Sequence, residues 1–295
     1  MPDKELVARV RGRLTDDFAL RLLDGAIAVL AHDDNPARVH QSASSFRELI
    51  AHVLESMAPD ADVTRCGWFE QIKDLKGPSR RQRALYACRG GLLDAFLKER
   101  LGIKPSQLFA GFGESFAELN KRTHVRKETE LTDEREIDEF VNGALLAIED
   151  VFETIDELRG RVTSAVGREL HGAAVSGFVN RSIQELDEIA GRYSPEMVWI
   201  EDAVVEYLDA DKIVYRIAGT VDVDFIAGPR ADEAIIAQSF PYRCTTSAPA
   251  GAPTEFDHDD TIVTVDTKAW FGDGDEEELA EVAADGACDG PDATF

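Results

Sequence analysis

The chain has 295 residues, 44% hydrophobic and 30% charged, with 57 acidic side chains against 32 Lys and Arg and a formal net charge of −25. That composition fills the cores of about two domains. The charge repels phosphate backbones at long range, so any nucleic-acid role needs cations gathered locally. Cys66, Cys88, Cys244 and Cys288 form no CxxC pair, which argues against a zinc ribbon or a disulfide framework. Met1 to Glu5 open no apolar run, and no stretch approaches the roughly 20 apolar residues of a membrane span. No membrane role and a cytoplasmic location are expected.

In chain order, Val10, Leu14, Phe18, Leu22, Ile27 and Leu30 recur near helical spacing and predict one helix over residues 4–31. The cluster Asp33-Asp34-Asn35-Pro36 ends it. Phe46, Leu49, Ile50, Val53, Leu54 and Met57 form the stripe of a second helix that Pro59 stops. A third runs from Ser79 to Gly90-Gly91, a short fourth covers Leu92 to Leu101, and Lys104-Pro105-Ser106 opens a fifth carrying Phe109, Phe112 and Phe116. Asp133 with Glu136 three positions on starts a long helix. Its apolar residues Ile137, Phe140, Val141, Leu145, Ile148, Phe152, Ile155 and Leu158 are the strongest periodic signal in the chain. More helix follows to about Tyr193.

After Ser194-Pro195 the period changes. Val204–Leu208, Ile213–Ala218, Thr220–Ile226, Ile235–Cys244 and Thr261–Val265 read as strands, Asp209-Ala210-Asp211 as a turn, and Ser247 to Pro253 as a loop. From Phe271 onward there are nine acidic residues and no Lys or Arg, a tail expected to be disordered. The expected class is α+β: a helical bundle over 1–195, a small antiparallel β domain over 196–270 and an acidic tail over 271–295.

No Walker A loop, GxGxxG, HExxH or GxSxG is present. Three constellations remain. Arg47 and His52, five apart, have the spacing of HEPN-type ribonucleases, where a His moves a proton at the ribose hydroxyl and an Arg stabilises phosphate charge without a metal. On a straight helix, residues five apart stand roughly 140° apart, so the two converge only at a distortion or a dimer seam. A solvated Arg and a half-buried His are the plainer account. Second, Lys73, Lys76, Arg80, Arg81, Arg83 and Arg89 form a basic run near Trp68 and Tyr86. Arg80, Arg81 and Arg83 fall in a first helical turn capped by Ser79, where they oppose the helix dipole unless a phosphate binds there. Pairing with nearby carboxylates is the plainer account. Lys121, Arg122 and His124 add a cationic helix end, with His124 either catalytic or a C-terminal cap.

The third constellation is in the β region: Asp222 and Asp224 alternate on one strand, and Asp266-Thr267-Lys268 ends another. Acidic residues on adjacent strands with a Lys are what a Mg²⁺-dependent restriction-type nuclease requires. Alternating acids are also what any solvated sheet face carries, and little helix remains after Tyr193 to pack on such a sheet.

Several segments resemble the predicted pPIWI-associating nuclease family, which is linked with prokaryotic Argonaute-like defence systems. They are Asn35-Pro36-Ala37-Arg38, Phe46 to Leu54, Ala58-Pro59-Asp60, Cys66-Gly67-Trp68, Arg80 to Tyr86, Leu119 to His124, Gly219 to Val223 and Gln238 to Tyr242, in that order. The resemblance implies a nuclease and an Argonaute-like partner, and carries over no catalytic residue. Two functions are therefore expected to compete. One is a defence nuclease acting through Arg47, His52 and His124, with Arg80, Arg81 and Arg83 binding nucleic acid, or through Asp222, Asp224 and Asp266 with Mg²⁺. The other is a non-enzymatic module binding nucleic acid or a protein. HEPN-like helical domains suggest a homodimer by analogy.

Overall fold

Short polar caps decide where the first helices begin. In a computed structural model, which describes residues 2–108, 117, 120–123, 131–229 and 232–272, Asp3 accepts the backbone N–H groups of Glu5 and Leu6 and starts α1, Lys4–Arg13. Leu14 is extended, and Asp16 accepts from Ala19 at 2.9 Å to start α2, Asp17–Ala28. The single helix expected over 4–31 is therefore two helices and a 3-10 turn at Val29–Ala31. The apolar period runs unbroken across the join, and the cap, a local hydrogen bond, overrides it. α3, Arg38–Met57, buries the expected stripe of Phe46, Leu49, Ile50, Val53 and Leu54. After Pro59 come α4, Asp60–Arg65, then α5, Arg80–Arg89, with a reciprocal Ser79/Gln82 capping box, and α6, Asp94–Glu99. A 3-10 turn at Pro105–Gln107 is the described part of the expected fifth helix; Phe109, Phe112 and Phe116 lie outside the described residues. α7, Glu134–Ala165, starts where expected, on the Asp133 cap.

The chain groups into two compact units that do not follow sequence order. One comprises Met1–Gly167, Val204–Val214 and Ala248–Glu255; the other comprises Arg168–Ala203, Tyr215–Ser247 and Phe256–Phe295. In the first, α2 packs on α3, α1 on α7, and α5 between α3 and α7. A strand turn is also bound there: Gly91 donates its N–H to Asp209 O at 2.7 Å, Arg65 pairs with Asp211 at 3.1 Å, and Ala250 donates to Asp211 O at 2.8 Å.

The strands are β1, Tyr193–Leu208, β2, Lys212–Ala227, β3, Ala234–Pro249, and β4, Asp257–Val265, in the order β1-β2-β3-β4 of an antiparallel sheet. β1 begins well before the predicted strand. Pro195 is tolerated because β1 is an edge strand, where a missing donor breaks no ladder. The two strands expected over 213–226 are one, running through Gly219. A side chain there would meet the β1 backbone, since an added Cβ lies 1.9 Å from Trp199 O. Burial alternates along β2, with Ile213, Tyr215, Ile217, Val221, Val223 and Phe225 on the inner face.

The inner face is covered by α8, Gly167–Val179, and by α9, Gln184–Asp187, whose sequence precedes the sheet. His171 Nε2 lies 3.0 Å from Val198 O of β1, Phe178 meets Tyr242 of β3 edge-on at 5.1 Å, and Gly177 sits against the Thr261 and Val263 methyls of β4. The expectation that little helix remains to pack on the sheet overlooked these earlier helices. α10, Lys268–Phe271, brings Trp270 to Phe225 and Phe240 at 5.5 and 6.3 Å. Beyond Gly272, the tail read as disordered lies outside the described residues. No described helix is long and apolar enough to cross a membrane.

Gly91→Ala should lower stability by roughly 1–3 kcal/mol, because the new Cβ would lie 2.1 Å from Ala210 O. Gly12→Ala, a helical site with open space around it, should raise it by about 0.5–1 kcal/mol. Urea unfolding midpoints check both.

Candidate functional site

The helical pair is held apart by separate partners. Arg47 donates to the adjacent Glu48 at 2.7 Å. His52 stands 3.1 Å from the Asp16 carboxylate, its ring edge-on to Phe18 at 4.9 Å. The Ala19 amide, followed by His52, holds the Asp16 carboxyl below the usual aspartate range, so Asp16 serves both as a helix cap and as an anchor for α3. No contact joins Arg47 to His52 among the described residues. His124 lies outside the described residues. Nearby, His40 is buried with Nδ1 2.6 Å from Arg122 O, which sequence reading passed over because nothing distinguishes it from a core histidine.

The basic run separates into different tasks. Arg83 donates to Ala58 O at 2.7 Å and pairs with Asp60, tying α5 to the start of α4. Arg89 is buried, with 2% of its side chain exposed. It pairs with Asp94 at 2.7 Å, donates to Leu92 O and lies 5.1 Å over the Trp68 ring. Trp68 in turn donates its indole N–H to Gly90 O at 2.7 Å. Arg80 is also engaged, while Arg81 is exposed. Arg83 and Arg89 thus fix the helical packing, and the cations are not gathered into one recess.

The sheet differs. β3 and β4 pair Tyr242 with Val265 and Arg243 with Thr264, so Arg243, Thr264 and Asp266 share the outer face. Asp266 N–H donates to Pro241 O at 2.8 Å, and its carboxylate accepts the Lys268 N–H at 3.1 Å, turning β4 into α10. A cavity of about 600 Å³ in this unit is lined by Glu201, Gly219, Tyr242, Arg243, Asp266 and Lys268, with Glu185 of α9 also on its wall. Arg243 and Lys268 form no ion pair among the described residues. Burial raises the Tyr242 hydroxyl above the ordinary phenol range, and that hydroxyl has no hydrogen-bond partner among the described residues. Thr220 donates to Glu201 at 2.9 Å. Two residues along the same face, Asp222 accepts from Ser239 and from the Trp199 indole at 3.3 Å, and these donors keep its carboxyl below the usual range.

The structure therefore brings Asp266 and Lys268 together with Glu201 and Arg243, two residues that sequence reading missed. Their signal is the cross-strand register, which only the fold supplies. Asp222 and Asp224 do not line this cavity. Among the described residues no group of three or more His, Cys, Asp or Glu side chains is placed to hold a metal ion. Asp222, Asp224 and Asp266 therefore do not form a cradle for Mg²⁺.

Residues 11–148 and 155–271 each match a family model, and both models are described as predicted pPIWI-associating nuclease. The chain belongs to this family. No curated protein and no solved structure matches it. In this chain the two matched segments meet inside α7, so their junction is not a linker. The second segment contains the whole lining of the cavity.

Arg89→Ala should cost about 3 kcal/mol, through the lost buried hydrogen bonds and the Trp68 contact. Arg81→Ala should change stability by no more than about 0.5 kcal/mol. Thermal or urea unfolding of the two variants distinguishes the structural arginine from the exposed one.

Proposed function

We propose that the chain is a nuclease of a prokaryotic defence system, acting in the cytoplasm beside a PIWI-type protein, and that it handles phosphodiesters at the cavity beside Asp266 and Lys268. The observation that carries this reading is the meeting of Asp266 and Lys268 with Glu201 and Arg243 around one cavity. Phosphodiester cleavage without a metal needs a base for the attacking oxygen and cations for the charge that grows on phosphorus-bound oxygen. Asp266 or Glu201 accepts the proton of the attacking hydroxyl. That oxygen forms the new bond to phosphorus, the bond to the leaving oxygen breaks, and Lys268 and Arg243 stabilise the negative charge.

The electrostatics support this placement over the helical one. Arg47, Arg83 and Arg89 already face carboxylates, whereas Arg243 and Lys268 form no ion pair among the described residues. The cavity also holds Glu185, Glu201 and Asp266, so its cations act at short range on a phosphate already seated, not by steering from a distance.

A second reading has an observation of its own. With Arg83 and Arg89 of α5 taken up in packing, the protein can serve as a non-enzymatic module that docks a PIWI-type partner.

Cleavage of labelled RNA and DNA oligonucleotides by the full chain, with its PIWI-type partner present and absent, tests the proposal. Lys268→Ala and Asp266→Asn should each lower the rate by a hundred-fold or more, a typical acid–base or charge-stabilisation effect. Arg47→Ala and His52→Ala should leave it within a few-fold, and EDTA should not abolish it. Loss of cleavage in His52→Ala with Lys268→Ala unaffected would contradict the placement. Inertness toward all substrates under all conditions would favour the docking module.

A further inference from the structure

The outer face carries one more unusual side chain. Trp199 of β1 is 54% exposed, although a large aromatic is normally buried or held at an interface. Its ring is not loose: the indole N–H is fixed to Asp222 of β2, whose carboxylate is fixed in turn by Ser239 of β3. Two residues along β1, Glu201 points to the same face and is fixed by Thr220. The cations follow on β3 and past the end of β4. An anchored aromatic plane, a carboxylate and two cations that form no ion pair among the described residues thus succeed one another across the sheet. Two strand spacings, about 10 Å, separate β1 from β3.

We propose that this face binds a single ribonucleotide unit, which rests on the phosphodiester reading above and gives its substrate class. The base stacks on Trp199, the ribose hydroxyls donate to Glu201, and the phosphate lies between Arg243 and Lys268. Each part follows from ordinary recognition chemistry. Exposed aromatic planes take up bases of any sequence. Carboxylates accept hydrogen bonds from ribose hydroxyls, and the 2′-hydroxyl is the group that distinguishes RNA from DNA. Arg and Lys hold phosphate oxygens. A site of this composition also accounts for the carboxylates on the cavity wall, which would only repel a bare phosphate. Deoxyribose offers Glu201 one donor fewer, so the site favours RNA.

Isothermal titration of the full chain with adenosine 5′-monophosphate, its 2′-deoxy analogue and adenosine tests this directly. The ribonucleotide should bind roughly ten-fold more tightly than the deoxy form, and adenosine should bind most weakly. Trp199→Ala should weaken both nucleotides by roughly ten-fold, and Trp199→Phe should restore most of the loss. Glu201→Gln should shrink the ribose preference while leaving the deoxynucleotide nearly unchanged. Unchanged circular dichroism and melting temperature show that each variant is folded. Equal affinity for the ribo and deoxy forms, or indifference to Trp199→Ala, overturns the proposal. Cleavage that depends on Lys268 without mononucleotide binding sinks this inference alone. Mononucleotide binding with the expected ribose preference, but no cleavage, supports it and sinks the nuclease reading alone.

Discussion

Everything in this protein that could meet a phosphate is governed by a shortage of free positive charge. With 57 acidic side chains and 32 Lys and Arg, an arginine on the surface is usually close to a carboxylate, and most visible ones have found one. Arg9 pairs with Glu149, Arg38 with Asp33 and Glu134, Arg83 with Asp60 and Arg192 with Glu233. Exposed pairs of this kind contribute little to stability, but each removes a cation from service to a ligand. A cation that stays unpaired beside a cavity is therefore informative here in a way it would not be in a basic protein. Among the described residues, Arg243 and Lys268 are two such cations beside one cavity.

The sheet can present them outward because its other face is closed. α8 crosses the inner face close enough that Gly177 alone fits against β4, and Trp270 of α10 covers the end near Phe225 and Phe240. With hydrophobic demand met on one side, the alternation of the strands leaves Glu201, Asp222, Arg243 and Asp266 on the other. The position of Lys268 depends on the turn that Asp266 makes by accepting its N–H, so a chain-reversal device and a candidate base are the same residue.

Much of this architecture was legible in the sequence. The stripes of α3 and α7 and the caps at Ser79 and Asp133 appear where their residues predict, because local periodicity and capping decide them. The α+β class and the order of helices before strands were equally clear. The join at Asp16 was missed because a side-chain cap outweighs an unbroken apolar period. The merging of two strands through Gly219 was missed because a glycine reads as an interruption, and only the approach of β1 explains why it is needed. The site was half legible. Asp266 and Lys268 stand close together in sequence, but Glu201 and Arg243 join them through register and strand order, which no local pattern encodes. The arginine run misled for the same reason: Arg89 is indistinguishable in sequence from Arg81, yet one is buried over Trp68 and the other is solvated.

The central claim is one of place: nucleic acid meets this protein on the outer face of the sheet and not along the arginines of α5. Photocrosslinking of a 4-thiouridine-containing RNA oligonucleotide to the full chain, with mass spectrometric mapping of the crosslinked peptides, reports that place without requiring turnover. Crosslinks concentrated in the segments around 199–201, 241–243 and 264–268 are the predicted result. Crosslinks confined to 47–52 and 73–89, with none on the sheet, would contradict it.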